Sequence, residues 1–361
     1  MNNNNRYLAL DAFRGITIAL MILVNTPGTW NHVFAPLLHA DWHGVTPTDL
    51  IFPFFLFIIG SALYFAFSKS NFEYSTAALQ KIIKRSAIIF LIGLGLNLYS
   101  QAGDFENLRI MGVLQRLGIA YGIGAVMVLL LTWRQLIIAS VALLAGYWLI
   151  MVTASSDPYS LEHNVVRAID LAVLGGNHLW QGKGMPFDPE GILSTLPAVV
   201  NVTAGFLATK LLAHSPSKLA SVKSLSLWGL ALIVVSLLWD VAMPINKSLW
   251  TSSYVLFSTG CAFFVLAFFI WLVDINQQVK IVDPLLVYGS NPLFIYVFSW
   301  VWVATYQFIS VGDGSFYQYL YELLAGIMAP KIASLAFALL HVALFWLISN
   351  ELYRRKIFIK V

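Results

Sequence analysis

Of 361 residues, 59% are hydrophobic and 14% aromatic, and only 11% are charged. A water-soluble globule carries about a quarter charged residues, so a soluble enzyme is excluded and a polytopic membrane protein is indicated. The net charge of +4 does not point to nucleic acid, because the basic residues are scattered between apolar runs, and the single cysteine, Cys261, excludes a disulfide framework or a cysteine-rich metal site.

The chain starts MNNNNRYLALDAFRGITIALMILVNTPG, which resembles a signal sequence. Asp11 and Arg14 interrupt its apolar part and no small-residue cleavage site follows, so the first span, about residues 8 to 26, is expected to be retained. Three residues apart, Asp11 and Arg14 share one helical face. Charges at membrane depth are costly, so this pair is either a structural salt bridge or part of a polar functional cavity. Asn25 ends the span before Pro27 and Gly28. Two roles fit it: satisfying backbone freed by the turn, or donating to a developing oxyanion, where losing a donor costs about 2.7 to 4 kcal/mol.

Next comes PLLHADWHGVTPTDLIFPFFLFIIG, a protic cluster beside a long apolar run. In an extended segment the side chains of His39, Asp41 and His43 point one way. Metal ligation lacks a further ligand nearby, and polar loop residues beside a membrane are commonly just solvated; general base catalysis by a histidine is the sharper functional reading, with Asp41 orienting a ring or facing water. Asp49, in TPTDL, sits in the first turn of the second span (47 to 68), where a carboxylate complements the helix dipole.

Further spans are predicted at 82 to 99, 110 to 131, 135 to 153, 190 to 213, 224 to 241, 248 to 273, 285 to 309 and 332 to 352, ten in all, each about 20 apolar residues. They lack the period-2 alternation of a barrel, so the fold class is all-α: one membrane-embedded helical bundle. Gln115 and Arg116 fall early in the fourth span, Arg116 as an anion ligand or an anchor. The long loop of about 154 to 189 has room for a site or lid. FDPEG, with Asp188 and Glu190, reads as the start of the sixth span, Pro189 in its first turn. Asn246, Lys247 and Trp250 are expected at a lip, where Trp anchors to headgroups. Asn291 and Pro292 are expected to break the ninth span.

Placing the N-terminus in the cytoplasm puts fourteen Lys and Arg on that side and five on the other; this excess sets both termini inside and the segment Pro27 to Thr46 outside. The inner set includes Arg6, Arg85, Lys210 and Lys360.

Taken together, LDAFRGITIALMILVN, HADWHGVTPTDLIFPFFLFIIGSA, RIMGVLQRLGIAYG, FDPEGILSTLPAVVN, NKSLWTSSYVL and YRRKIFIKV resemble one family, the heparan-α-glucosaminide N-acetyltransferases and their bacterial inner-membrane relatives. The resemblance implies a multi-pass enzyme that takes acetyl-CoA from the cytosol and acetylates the amine of a glucosamine-type sugar, or a glucosamine-terminated glycan, across the membrane. No metal is implied. It maps the active-site histidine to His39 and a neighbouring asparagine to Asn25, with a spacing a few residues longer than in the animal enzymes. A homodimer is implied as well. On this reading Arg85 and Lys210 hold the CoA phosphates. The competing classes are an amino-sugar permease, whose polar residues would line a path, and a scaffold with degenerate catalytic residues; no inverted repeat is visible in support of the former.

Overall fold

Backbone groups in lipid must be satisfied within the segment, which leaves helices as the economical answer to long apolar runs. The computed structural model describes residues 8–359; the basic residues Arg6 and Lys360 lie outside the described residues. In chain order the helices are α1 (Leu8–Asn25), α2 (Ile51–Ser68), α3 (Thr76–Ser100), α4 (Val113–Leu130), α5 (Trp133–Ala154), α6 (Val165–Leu174), α7 (Thr195–His214) and α8 (Lys218–Asp240). Then follow α9 (Ser252–Phe269), extended by a π-helical turn Ile270–Ile275, α10 (Val279–Gly289), α11 (Pro292–Phe308), α12 (Phe316–Ala325) and α13 (Pro330–Arg354). Among the described residues, nine helical stretches are long and apolar enough to cross a membrane, and α10 with α11 makes a tenth bent by 66°. The bend falls at Asn291 and Pro292, where the sequence predicted it: proline has no N–H to donate and disfavours helix in the residue before it.

Several boundaries differ from expectation. The third span starts at Thr76, because Ser75 caps it by accepting the Ala78 N–H. The sixth starts at Thr195, so Asp188 and Glu190 precede the helix instead of opening it. The long loop also contains α6, a short helix capped by Asn164, which accepts the Arg167 N–H at 2.8 Å.

The described residues gather into two compact units. One takes in α1 and the chain up to His39, Thr46–Ile51, and everything from Phe268 onward. Here α1 lies against α10 at backbone distance: a β-carbon on Gly15 would stand 1.9 Å from the Leu285 carbonyl oxygen, and one on Gly289 would stand 2.5 Å from that of Asp11. Small residues permit such approach, which is the main source of helix association in lipid. Asn291 ties down the segment after α13, donating to Ile357 O at 2.9 Å and accepting from Ile359 N at 2.7 Å.

The second unit holds Ala40–Val45 and Phe52–Ala267. Its helices α2 and α7 meet the same way, with β-carbons on Gly60 and Gly205 standing 1.8 and 1.9 Å from the carbonyl oxygens of Val202 and Phe57. Because helices alternate in direction, the α3–α4, α5–α7 and α8–α9 connections gather at one end of this unit. Tyr159 joins two of them by donating to Ala242 O at 2.9 Å.

Gly15→Ala is expected to lower the thermal midpoint of the purified protein, since overpacking costs about 1–3 kcal/mol. Gly95→Ala in α3, where a β-carbon meets nothing within 4 Å, should be neutral or raise it through helix propensity. Equal midpoints for the two variants would contradict the α1–α10 contact.

Candidate functional site

Asp49 sits in a short 3-10 turn, Pro47–Leu50, that leads into α2. Thr46 and Asp49 form a capping box: Asp49 Oδ2 accepts the Thr46 N–H at 2.9 Å and the Thr46 hydroxyl at 3.0 Å. Its other oxygen, Oδ1, lies 2.6 Å from His39 Nδ1. The Asp49 side chain is 1% exposed and that of His39 is 47% exposed. A buried carboxylate held at one oxygen by a helix cap thus fixes an accessible imidazole with the other. Sequence reading assigned Asp49 the cap alone, because a carboxylate at a helix start explains itself; the His39 contact spans ten residues and a turn.

The other members of the protic cluster do different work. Asp41 is exposed, and its carbonyl accepts from Lys183 Nζ at 2.5 Å. His43 stands 3.3 Å from Asn246 Nδ2, while Gly44 N–H donates to Ile245 O at 2.7 Å and Trp42 Nε1 to Tyr159 O at 2.7 Å. Partial burial of the His43 ring pushes it below the ordinary imidazole value, against the pull of Asp240 and Asp157. The three side chains therefore do not act as one set. Among the described residues no group of three or more His, Cys, Asp or Glu could hold a metal ion.

Asn25 is the exposed last residue of α1. The turn after it is satisfied by others: Thr26 Oγ1 donates to Ile22 O at 2.7 Å and Gly28 N–H to Ser334 O at 3.2 Å. Of its two expected roles, backbone satisfaction is therefore filled without it. Asp11 and Arg14 do pair, at 2.8 Å, and Arg14 also donates to Gly289 O at 3.3 Å.

In the second unit the polar residues build a separate centre. Arg109 Nε and Nη2 clasp Asp188 at 2.9 and 2.7 Å, and Nη2 reaches Glu190 at 2.6 Å. Burial works against the Arg109 charge, but Asp188 and Glu190 outweigh it and raise its pKa above the ordinary arginine value. Sequence reading gave Asp188 and Glu190 to a helix start, and Arg109 is one of the five basic residues that it counted on the outer side. The pairing spans about 80 residues, a separation no local pattern reveals. Arg116 is fully buried, donates to Ser194 and lies 4.7 Å from the Trp250 ring centre, with Nε and Nη1 unpartnered among the described residues. Gln115 beside it is buried, with Nε2 likewise unpartnered. Trp250 is 0% exposed and donates to Asn201 Oδ1 at 3.1 Å; it is a buried platform for a cation, not a headgroup anchor. Lys247 is half-buried in the same turn, its carbonyl accepting the Trp250 N–H at 3.0 Å. Arg85 lies over Tyr121 at 4.9 Å and Lys210 over Phe72 at 6.0 Å.

The family model for the heparan-α-glucosaminide N-acetyltransferase catalytic region matches residues 6–235, well over half the chain. The chain belongs to this family. Among curated relatives it is 28% identical to the human heparan-α-glucosaminide N-acetyltransferase over 81% of its length, and 27% identical to the mouse protein over the same share. These alignments cover 52% and 53% of those proteins, so the chain spans about half the length of the curated relatives it matches. His39, Asp49, Asn25 and the Arg109–Asp188–Glu190 centre all lie within the family match.

Two predictions test the second unit. Arg109→Met strands two buried carboxylates and should cost about 3–5 kcal/mol, whereas Arg355→Met, which breaks an exposed pair with Glu351, should cost about 0–1 kcal/mol; denaturation of the two variants checks this. Asp170 is buried, accepts the Ile192 N–H at 2.8 Å, and is pushed up to about 7, chiefly by burial. Its raised pKa means that the folded state holds a proton the unfolded state has lost. Stability should therefore fall as pH rises from the ordinary carboxylate range through about 7. Asp170→Asn should flatten that slope, and an unchanged slope would contradict it.

Proposed function

We propose that this chain is a membrane acetyltransferase of the inner membrane of a bacterium, with both termini in the cytoplasm, that uses acetyl-CoA to N-acetylate a glucosamine-type amino sugar on the outer side. The observation that carries the reading is the 2.6 Å contact between His39 Nδ1 and Asp49 Oδ1. Family membership supplies the reaction class, and this contact supplies its base.

An anionic Asp49 keeps the proton on Nδ1 and leaves Nε2 with a lone pair, the arrangement a general base requires. Nε2 accepts the proton of the acceptor amine as its nitrogen attacks the thioester carbonyl. The carbon–sulfur bond then breaks, the acetyl group leaves on nitrogen as an amide, and the CoA thiolate takes up the proton held by the imidazolium. Asn25, with an amide not used by the turn it terminates, donates to the carbonyl oxygen as charge develops there. Direct transfer is preferred to an acetyl-histidine, because a side chain 47% exposed would offer an acetyl-imidazole to water. Arg85 and Lys210 are assigned to the CoA phosphates, and a homodimer is the assembly proposed.

In membranes or nanodiscs supplied with labelled acetyl-CoA and glucosamine, His39→Ala should lose nearly all N-acetylglucosamine formation while still binding CoA. Asp49→Asn should lose about 10²- to 10⁴-fold in kcat, the range typical of general base catalysis. Near-normal turnover in a folded His39→Ala protein would overturn the assignment.

A further inference from the structure

The end of the second unit that gathers the long connections carries a groove of about 750 Å³ between the 101–109 and 176–186 segments, within the range of small-molecule sites. Its walls are joined: Ile110 N–H donates to His178 O at 3.2 Å, and His178 Nδ1 lies 2.7 Å from Leu108 O. Trp180 stands in it, 36% exposed. The indole is held from behind, since a β-carbon on Gly182 would lie 2.0 Å from its ring. Amides surround it. Gln181 spends its N–H groups on Gly176 O and Leu179 O, at 2.9 and 3.1 Å, so its side-chain oxygen remains an acceptor. The exposed Asn177 amide has no protein partner among the described residues, and Gln101 braces the opposite wall by accepting the Arg109 N–H at 3.3 Å. Arg109, the one cation among the residues lining the groove, gives Nε and Nη2 to Asp188 and Glu190, so its single charge is outweighed by two carboxylates.

A fixed aromatic face ringed by amides, with its one cation outweighed by two carboxylates, is the complement of a neutral, hydroxyl-rich ring. A phosphate or sulfate would find no ammonium among the lining residues, and the one guanidinium there is held by two carboxylates that repel an anion. We propose that this groove binds an unsulfated oligosaccharide, stacking one sugar ring on Trp180 and hydrogen-bonding its hydroxyl and acetamido groups to Asn177 and Gln181. This deepens the proposed function by making the acceptor a residue of a neutral glycan, and it rests on that reading for the acceptor alone.

Tri-N-acetylchitotriose has no free amine and undergoes no transfer, so its binding to the full-length protein in nanodiscs isolates the groove. Calorimetry should show binding to the wild-type chain and at least a tenfold loss in Trp180→Ala, with most affinity kept in Trp180→Phe. Gly182→Val, which displaces the indole, should weaken binding like Trp180→Ala. Acetyl-CoA affinity within twofold of wild type shows that the variants are folded. A sulfated heparin-derived trisaccharide should bind at least tenfold more weakly than chitotriose. Chitotriose binding that is absent in the wild type, equal in Trp180→Ala, or weaker than that of the sulfated sugar would overturn the proposal. Such a result would leave acetyl transfer to glucosamine untouched, and failure of that transfer would leave the binding result standing.

Discussion

Both oxygens of Asp49 are committed. One closes the helix start through Thr46 and the other holds His39. The backbone entering α2 and the imidazole are thereby fixed by a single buried carboxylate, and neither can shift without the other. Thr46 adds a third tie, its hydroxyl donating to Leu38 O at 2.7 Å, beside His39 in the chain. A side chain on a loop is positioned by the stiffness of what supports it. Here that support is a helix cap, an element with a geometry of its own.

The same economy governs charge elsewhere. A charge taken out of water is tolerable only with partners. Arg14 finds Asp11 and a carbonyl, and Arg109 finds two carboxylates. Arg116 departs from that pattern, since its neighbours are a hydroxyl, a carbonyl and the face of Trp250. Beside its ring contact the backbone is closely packed around Gly191, where a β-carbon would stand 1.9 Å from Asp170 Oδ2. Helix contacts add a second device: glycines bring backbones together and dispersion does the rest.

Much of this architecture was legible in the residues, because hydropathy in lipid is a strong local signal. The helical spans, the broken ninth span and the Asp11–Arg14 pair all follow from residues close in sequence. What escaped was set by distance or by double duty. α6 is too short and too polar on one side to register as a span. Arg109 pairs with carboxylates far along the chain, and Trp250, bordering an apolar run after a turn, carries the same composition whether it meets headgroups or a buried guanidinium. Asp49 was read as a cap, correctly, but a local rule that explains a residue gives no reason to seek its second contact. Asn25 shows the converse: its turn was foreseen, yet Thr26 and Ser334 satisfy it.

The central claim is that His39 handles a proton and never carries the acetyl group. Rapid mixing of the protein with acetyl-CoA alone, with free thiol followed in time, tests it most directly. Direct transfer predicts no stoichiometric thiol release until an amino sugar is added, after which release and N-acetyl product rise together. A burst of one thiol per protein without acceptor, with an acetyl group found on His39, would contradict it.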